Sequence, residues 1–316
     1  MILLEEHVVT SSEGTDGLCQ PLQELLDLRW SSYRKALKRC RKKFSKKAVH
    51  ALRVEIRRMQ SMLCLLSAAL PRELILPLEC ELKERIKALS RLRDTHVQID
   101  AIAETLDDEP ELEPFHDWLC RRERRLGRRL EQTLAEASTG KVARRVSQVS
   151  RALRDFAKNA DREQNLEDVL VEATGRAFED VTRNYRRLTA ANIAAIHRMR
   201  VAFKRFRYMV EALARVLPGI TDRQLRALQA YQSRMGRIQD AEVLLKRAEK
   251  FARKGKLDKS AFRTFRGKML ASRARLVKGF LASADRLLAF WPLPSRPMSQ
   301  GRRSNGIVYS PARHRR

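Results

Sequence analysis

Residues that break helices are scarce in this chain. Its 316 residues include 12 glycines and 10 prolines, and four of those prolines (Pro292, Pro294, Pro297 and Pro311) fall in the last 25 residues. What remains is long uninterrupted runs of Leu, Ala, Arg, Lys and Glu, all strong helix formers. No alternating apolar and polar segment stands out, which argues against strands and makes the fold class all-α. No window approaches 18 uncharged apolar residues, so a membrane-spanning helix is not expected. The start, Met1 to His7, has neither the basic n-region nor the long apolar h-region of a signal peptide. The five cysteines (Cys19, Cys40, Cys64, Cys80 and Cys120) form no C-x-x-C pair and are odd in number. They read as buried free thiols in a reducing cytoplasm rather than as a disulfide framework.

Acid is the other shortage. Against 66 Lys and Arg stand 38 Asp and Glu, a net charge of +28 with a sequence pI of about 10.8. A folded body so charged repels itself and calls for a polyanion to offset it. Charge alone leaves nucleic acid, an anionic membrane surface and an inorganic polymer all open. At 43% hydrophobic the chain still has enough apolar residues to bury a core.

Punctuation along the chain suggests three parts: a loose leader over 1–19, an ordered body over 20–291, and a disordered tail over 292–316. The tail carries six arginines and no acid, so about +22 belongs to the body. Pro21 suits the first turn of an opening helix, Ser45 the cap of the next, and Pro71 its end. Further helices are expected at about 73–106, 112–137, 139–158, 163–189, 191–217, 222–253 and 259–290. The turns fall at Asp107 to Pro110, Thr139-Gly140 and Pro218-Gly219.

An internal repeat carries most of the information. His50-Ala-Leu-Arg53-Val54-Glu-Ile-Arg57-Arg58-Met59 matches His197-Arg-Met-Arg200-Val201-Ala-Phe-Lys204-Arg205-Phe206 at an offset of 147 residues. Arg91-Leu-Arg93-Asp94-Thr-His-Val97 matches Arg237-Ile-Gln239-Asp240-Ala-Glu-Val243 at an offset of 146. Two separated motifs at nearly one offset point to duplication of a whole unit. At about 100° per residue, positions 0, +3, +7 and +10 share an arc of about 80°. That arc holds His50, Arg53, Arg57 and Gln60 in one copy, and His197, Arg200, Lys204 and Arg207 in the other. The opposite face is apolar in both: Leu52, Ile56, Met59, Leu63 and Leu66, then Met199, Phe203, Phe206, Val210 and Leu213. A charged face opposite an apolar one is common to solvated helices. Here the stripe is almost without acid, Glu55 being the only one between Lys35 and Gln60, and a His leads it twice. Val54 and Val201 flank the cations and suggest a partly enclosed surface.

These residues resemble the CHAD domain, a helical module named for its histidines, over about residues 20 to 291. The resemblance implies an internally duplicated long-helix bundle whose two pseudo-symmetric halves, about 20–160 and 161–291, surround a basic central cleft. It implies binding of inorganic polyphosphate and association with cytoplasmic polyphosphate granules, without catalysis and without a cofactor. By position, His50, Arg53, Arg57, Arg58, His197, Arg200, Lys204, Arg205 and Arg207 take the roles of phosphate ligands. Gln60 departs from the family's basic residue, so the first stripe is expected to bind more weakly.

The residue types suit that ligand. Arginine forks hold two phosphate oxygens at once, Lys supplies a compact charge, and His adds a donor that phosphate would help protonate. Arg34, Lys38, Arg41 and Lys42, and the run Arg183 to Arg187, are expected to extend the track, and Tyr208 to offer its hydroxyl. Asp94 and Asp240 read as orienting carboxylates or as ordinary helix salt bridges. Arg121 to Arg125 and the region from Lys246 to Lys278 read as solvated outer faces. Nucleic acid is the rival partner, although the stripes lack the aromatic interleaving of single-strand binders. Gly301-x-x-x-x-Gly306 is followed by Ile307, so no phosphate-cradling loop of the G-x-x-x-x-G-K-[ST] type exists. Glu79-x-Glu81-x-Lys83 resembles the triphosphate-tunnel signature, which needs a strand, whereas a helix turns the two acids about 200° apart. No metal is expected, because His50 and His197 lack further ligands at suitable spacing.

Overall fold

The computed structural model describes residues 17–136 and 139–291. The expected leader, apart from its last residues, and the Arg-rich tail lie outside the described residues. Among the described residues ten α-helices follow in order: α1 Cys19–Lys42, α2 Lys46–Leu66, α3 Arg72–Ala103, α4 Glu113–Glu136, α5 Thr139–Ala157, α6 Ala160–Gln164, α7 Leu166–Tyr185, α8 Ile193–Leu213, α9 Asp222–Ala252 and α10 Lys259–Leu281. Short 3-10 turns occupy Pro110–Leu112 and Ala284–Ala289. Among the described residues there is no strand.

Local chemistry sets the helix ends. Ser45 accepts from the Ala48 N–H at 3.2 Å and caps α2. Asn192 caps α8 through the Ala195 N–H at 2.9 Å. Thr221 and Gln224 form a reciprocal capping box on α9. Gly219, at φ 94°, makes the turn before it. Two expected helices are shorter than their apolar periodicity suggests. The helix predicted over 163–189 is interrupted at Asn165, whose side chain donates to the Asp161 carbonyl at 2.7 Å and ends α6 before α7 begins. The helix predicted to reach 290 stops at Leu281, and Ser283 leads into a 3-10 turn.

Burial explains the arrangement. All ten apolar-face residues of the two repeat helices are at most 1% exposed. Burying a side chain of that size contributes about 1.5–3 kcal/mol, so these faces dictate which way α2 and α8 turn. The main apolar core draws on α1 to α5 and α7 to α10; a second, smaller one joins the ends of α3 and α9 to α4 and α10 through Phe115, Phe251 and Phe265. Helix α2 packs on α1, α3 and α8; α8 packs on α7, α2 and α9; and α3 touches α9. The two motif-bearing helix pairs therefore meet, with α2 beside α8 at the centre and their cationic stripes at a common seam.

The cysteines are free, but not uniformly buried: Cys19 and Cys40 are enclosed, Cys64 and Cys120 half-buried, and Cys80 exposed on α3. Glu79 and Glu81 lie on α3 too, and Glu81 is paired with Arg85 at 3.0 Å and with Arg145 at 3.5 Å. Among the described residues no helix is long and apolar enough to cross a membrane.

Candidate polyanion-binding site

A cavity of about 250 Å³ lies where α2, α3, α8 and α9 meet. Arg53 and Arg57 of α2 and Arg200 and Lys204 of α8 supply its cations, and His197 of α8 adds an imidazole. Asp94 and Val97 of α3 face Asp240 and Val243 of α9, and Ser90, Gln98 and Gln239 complete the lining. Both sequence motifs thus contribute twice to one space. A larger, mostly apolar groove of about 630 Å³ lies elsewhere, between the start of α8 and α10. It holds none of the motif residues, and the chemistry is in the smaller, polar cavity.

Lys204 sits at the centre of the positive charge. Loss of hydration, then the charges of Arg57, Arg200, Arg53 and Arg207, pull its ammonium pKa down from 10.5 to about 7. Its Nζ lies 5.5 Å from the centre of the Tyr208 ring, and the Arg207 guanidinium lies 4.9 Å from the same ring. Arg53 is lowered to about 10, first by burial and then by Arg57. Arg57 is lowered chiefly by burial, with Arg207 and Arg200 of the facing helix adding to the effect. Like charges have been gathered here against their mutual repulsion.

Hydrogen bonding at the seam is incomplete. The Nε atoms of Arg57 and Arg200 and the Tyr208 hydroxyl are buried with no partner among the described residues. Each such group costs about 1–3 kcal/mol while unsatisfied. A ligand rich in acceptor oxygens would relieve both the unsatisfied donors and the repulsion. Where partners exist, they orient: Arg53 Nε donates to Ser90 Oγ at 3.4 Å, and His197 Nδ1 donates to Gln239 Oε1 at 2.6 Å. Burial, then Arg93, Arg53 and Arg57, lower the pKa of His50.

The two aspartates stand open to solvent at the cavity. Protein crowding raises both carboxyl pKa values, opposed by Arg53 at Asp94 and by Arg200 at Asp240, and each carboxylate also feels the cations of the other half. Among the described residues, neither forms a hydrogen bond or an ion pair with a stripe arginine. Orientation comes from Ser90 and Gln239 instead.

Several sequence-predicted ligands lie elsewhere. Arg58 is held by Glu55 at 2.9 Å, and its charge also acts on Glu211 of α8. Arg205 bonds the Cys64 thiol of α2. Arg205 thus joins α8 to α2, whereas Arg58 is held within its own helix and acts on α8 only through its charge. Arg207 leans on Glu211 at 3.4 Å, near the cavity but outside its lining. His50 is exposed beside the stripe, and Tyr208 forms a buried floor under the cations. Arg34, Lys38, Arg41 and Lys42 are exposed on α1, which packs on α2, α4 and α5 rather than on α8 or α9. Arg41 Nε donates to the Leu134 carbonyl at 2.7 Å, and Arg34 lies over Trp30. Arg183 is paired with Asp180 at 3.1 Å. Val54 and Val201 do not line the cavity, and Val201 is 54% exposed; Val97 and Val243 of the second motif form its apolar walls.

Sequence reasoning missed Ser90, Gln98, Gln239, Arg93 and Arg247. Gln239 was inside a repeat motif, aligned with Arg93, and both lie next to the leading His of their own half. Ser90 carried no such signal, because its counterpart at offset 146 is Gly236. Among the described residues no cluster of three or more His, Cys, Asp or Glu is placed to hold a metal ion.

Residues 24–249 match the model of the CHAD domain. The fold resembles the crystal structure of the CHAD domain from the plant Ricinus communis, with a TM-score of 0.67 and 18% identity over 92% of this chain and 98% of that one. It also resembles PptA from Streptomyces chartreusis, with a TM-score of 0.62 and 17% identity over 87% of this chain and 100% of that one. No curated protein matches it by sequence.

Proposed function

The chain belongs to the CHAD domain family, and from that premise we propose that it is a non-catalytic binder of inorganic polyphosphate that associates with polyphosphate granules through the α2–α8 seam. One observation carries the reading: Lys204 lies among four arginines from two helices, with orphaned guanidinium and hydroxyl donors around it. Such an arrangement is unfavourable alone and favourable around a dense line of phosphate oxygens. Polyphosphate supplies that density with no base or sugar to accommodate, and the cavity offers two valines and no stacking platform. Tyr208, the aromatic ring next to the cations, is only 7% exposed and already covered by Lys204 and Arg207. That disfavours single-stranded nucleic acid, which binds by stacking as well as by charge.

In this reading Arg53, Arg57, Arg200 and Lys204 hold the phosphates, His197 adds a contact positioned by Gln239, and Arg205 maintains the helix pair that forms the seam. Replacing Arg53, Arg57, Arg200 and Lys204 together by Glu is expected to abolish polyphosphate binding while far-UV circular dichroism keeps its helical signal. Binding that survives the replacement, or DNA competing equally at matched salt, would refute the site or its specificity. Phosphate release from polyphosphate with Mg²⁺ would refute the non-catalytic assignment.

A further inference from the structure

A second group of cations stands beyond the cavity, in a region where the sequence pattern suggested only a solvated face. Arg122 of α4 is half-buried, and its Nε has no hydrogen-bond partner among the described residues. Loss of hydration, then the charges of Arg247, Arg125 and Arg91, weaken its hold on its proton. Arg247 of α9 is half-buried in turn, and its charge acts on Asp94 in the cavity lining. Packing puts them on neighbouring turns: the Arg122 guanidinium lies 6.0 Å over the Trp118 ring, Trp118 packs on Phe251 of α9 at 5.4 Å, Arg247 is one turn before Phe251 and one turn after Val243 of the cavity lining, and Arg91 follows Ser90 of that lining on α3. Among the described residues none of the four is ion-paired to an acid. The acid beside Arg122 in the chain, Glu123, is taken by His96 at 3.0 Å. The neighbouring arginine, Arg121, is exposed and pairs with Asp117 at 3.7 Å, as an ordinary surface residue does.

This placement overcomes a limit of the first site. A volume of about 250 Å³ equals roughly eight waters of bulk liquid, room for a few phosphate units but not for a long polymer. A strand longer than the cavity has to leave it, and Arg247 lies one helical turn beyond Val243 of the lining, with more cations beside it. We propose that Arg91, Arg122, Arg125 and Arg247 form a second anion-binding subsite that takes the outgoing stretch of the same phosphate polymer and makes the protein select long chains over short ones. The inference rests on the polyphosphate reading of the cavity. The cavity serves any short oligophosphate; the second subsite is reached only by a chain that already fills the first.

The test compares tripolyphosphate with long-chain polyphosphate on the full chain, titrated over a range of salt. Arg91, Arg122 and Arg125 are replaced together by Gln, which removes the three charges while keeping good helix formers at these positions. A control replaces the exposed Arg121, Arg124 and Arg128 by Gln, matching the charge removed. The subsite variant is expected to bind long chains about tenfold or more weakly, with a salt dependence shallower by about two to three phosphate contacts. Its tripolyphosphate affinity stays within about twofold, and the control loses little on either ligand. Undiminished long-chain binding, an equal loss on both ligands, or an equal loss in the control would overturn the subsite while leaving the cavity reading intact. Failure of the unaltered protein to bind either ligand would remove the polyphosphate reading itself.

Discussion

On the proposed function, Lys204 is expected to make polyphosphate binding dependent on pH in a range where the polymer itself hardly titrates, since only the chain ends of a long polymer change charge there. In the free protein its pKa is about 7, because burial and the charges of Arg57, Arg200, Arg53 and Arg207 disfavour the ammonium form. The arginines keep their protons throughout, so the Lys gives way. Bound phosphates replace repulsion by attraction and drive its pKa back toward the ordinary 10.5. The sign follows: a pKa higher in the complex means that binding takes up a proton, so affinity is highest below pH 7 and falls as pH rises toward the bound value. With a complete return to the ordinary value, linkage gives a drop of roughly fifteenfold between about pH 7 and 8.5. The assay is isothermal titration with long-chain polyphosphate in two buffers of different ionisation enthalpy, which counts the protons taken up directly. Lys204→Arg keeps the charge and is expected to flatten the profile above pH 7. A flat wild-type profile between about pH 7 and 8.5, or the same slope in Lys204→Arg, would refute the reasoning.

Other consequences concern stability and the supporting residues. Because the folded pKa of Lys204 lies below its unfolded one, its charge destabilises the free protein most fully below pH 7, and the effect is lost as pH rises toward 10.5. Lys204→Met should therefore raise stability at pH 6 by about 1–3 kcal/mol in urea melts, after allowance for solvent screening, while weakening polyphosphate binding. Asp94→Asn with Asp240→Asn removes two counter-charges, and affinity for polyphosphate is expected to rise about three- to tenfold in the same titration; a fall would show that the carboxylates orient the ligands after all. Gln239→Ala frees His197 and is expected to weaken binding about two- to fivefold with little change in melting temperature. Phe203→Ala empties a fully buried site in contact with Phe206, Tyr231 and Phe290 and should cost about 3–5 kcal/mol of stability by chemical denaturation.

The apolar and cationic stripes were legible because helical period is a local property. Ten apolar positions counted off at 3.6 residues per turn are all buried, and the opposite side of the same helices carries the cavity cations. Local chemistry also overruled the count where it was strong, as at Asn165 and Ser283, whose side chains end helices that periodicity alone would continue. Periodicity does not tell what a polar side chain meets across a gap. Arg58 and Arg57 are neighbours in the motif, yet one turns to Glu55 while the other enters the cavity. Likewise Arg121 and Arg122 share one basic run, but only the second lies among arginines from other helices.

The sequence by itself determined that the chain is helical, that it carries a large excess of positive charge, and that two matching His-led stripes face away from the apolar core. Composition and short-range spacing suffice for these, because helix propensity and amphipathic period act within a few turns. The tertiary structure decided that α2 and α8 meet and merge the stripes into one cavity, that the repeat's own aspartates and valines line it, and that Arg122 lies over Trp118 against α9. Those facts depend on which buried faces pack against each other across more than a hundred residues, and the electrostatic cost of crowding Lys204 among arginines exists only once that packing has formed.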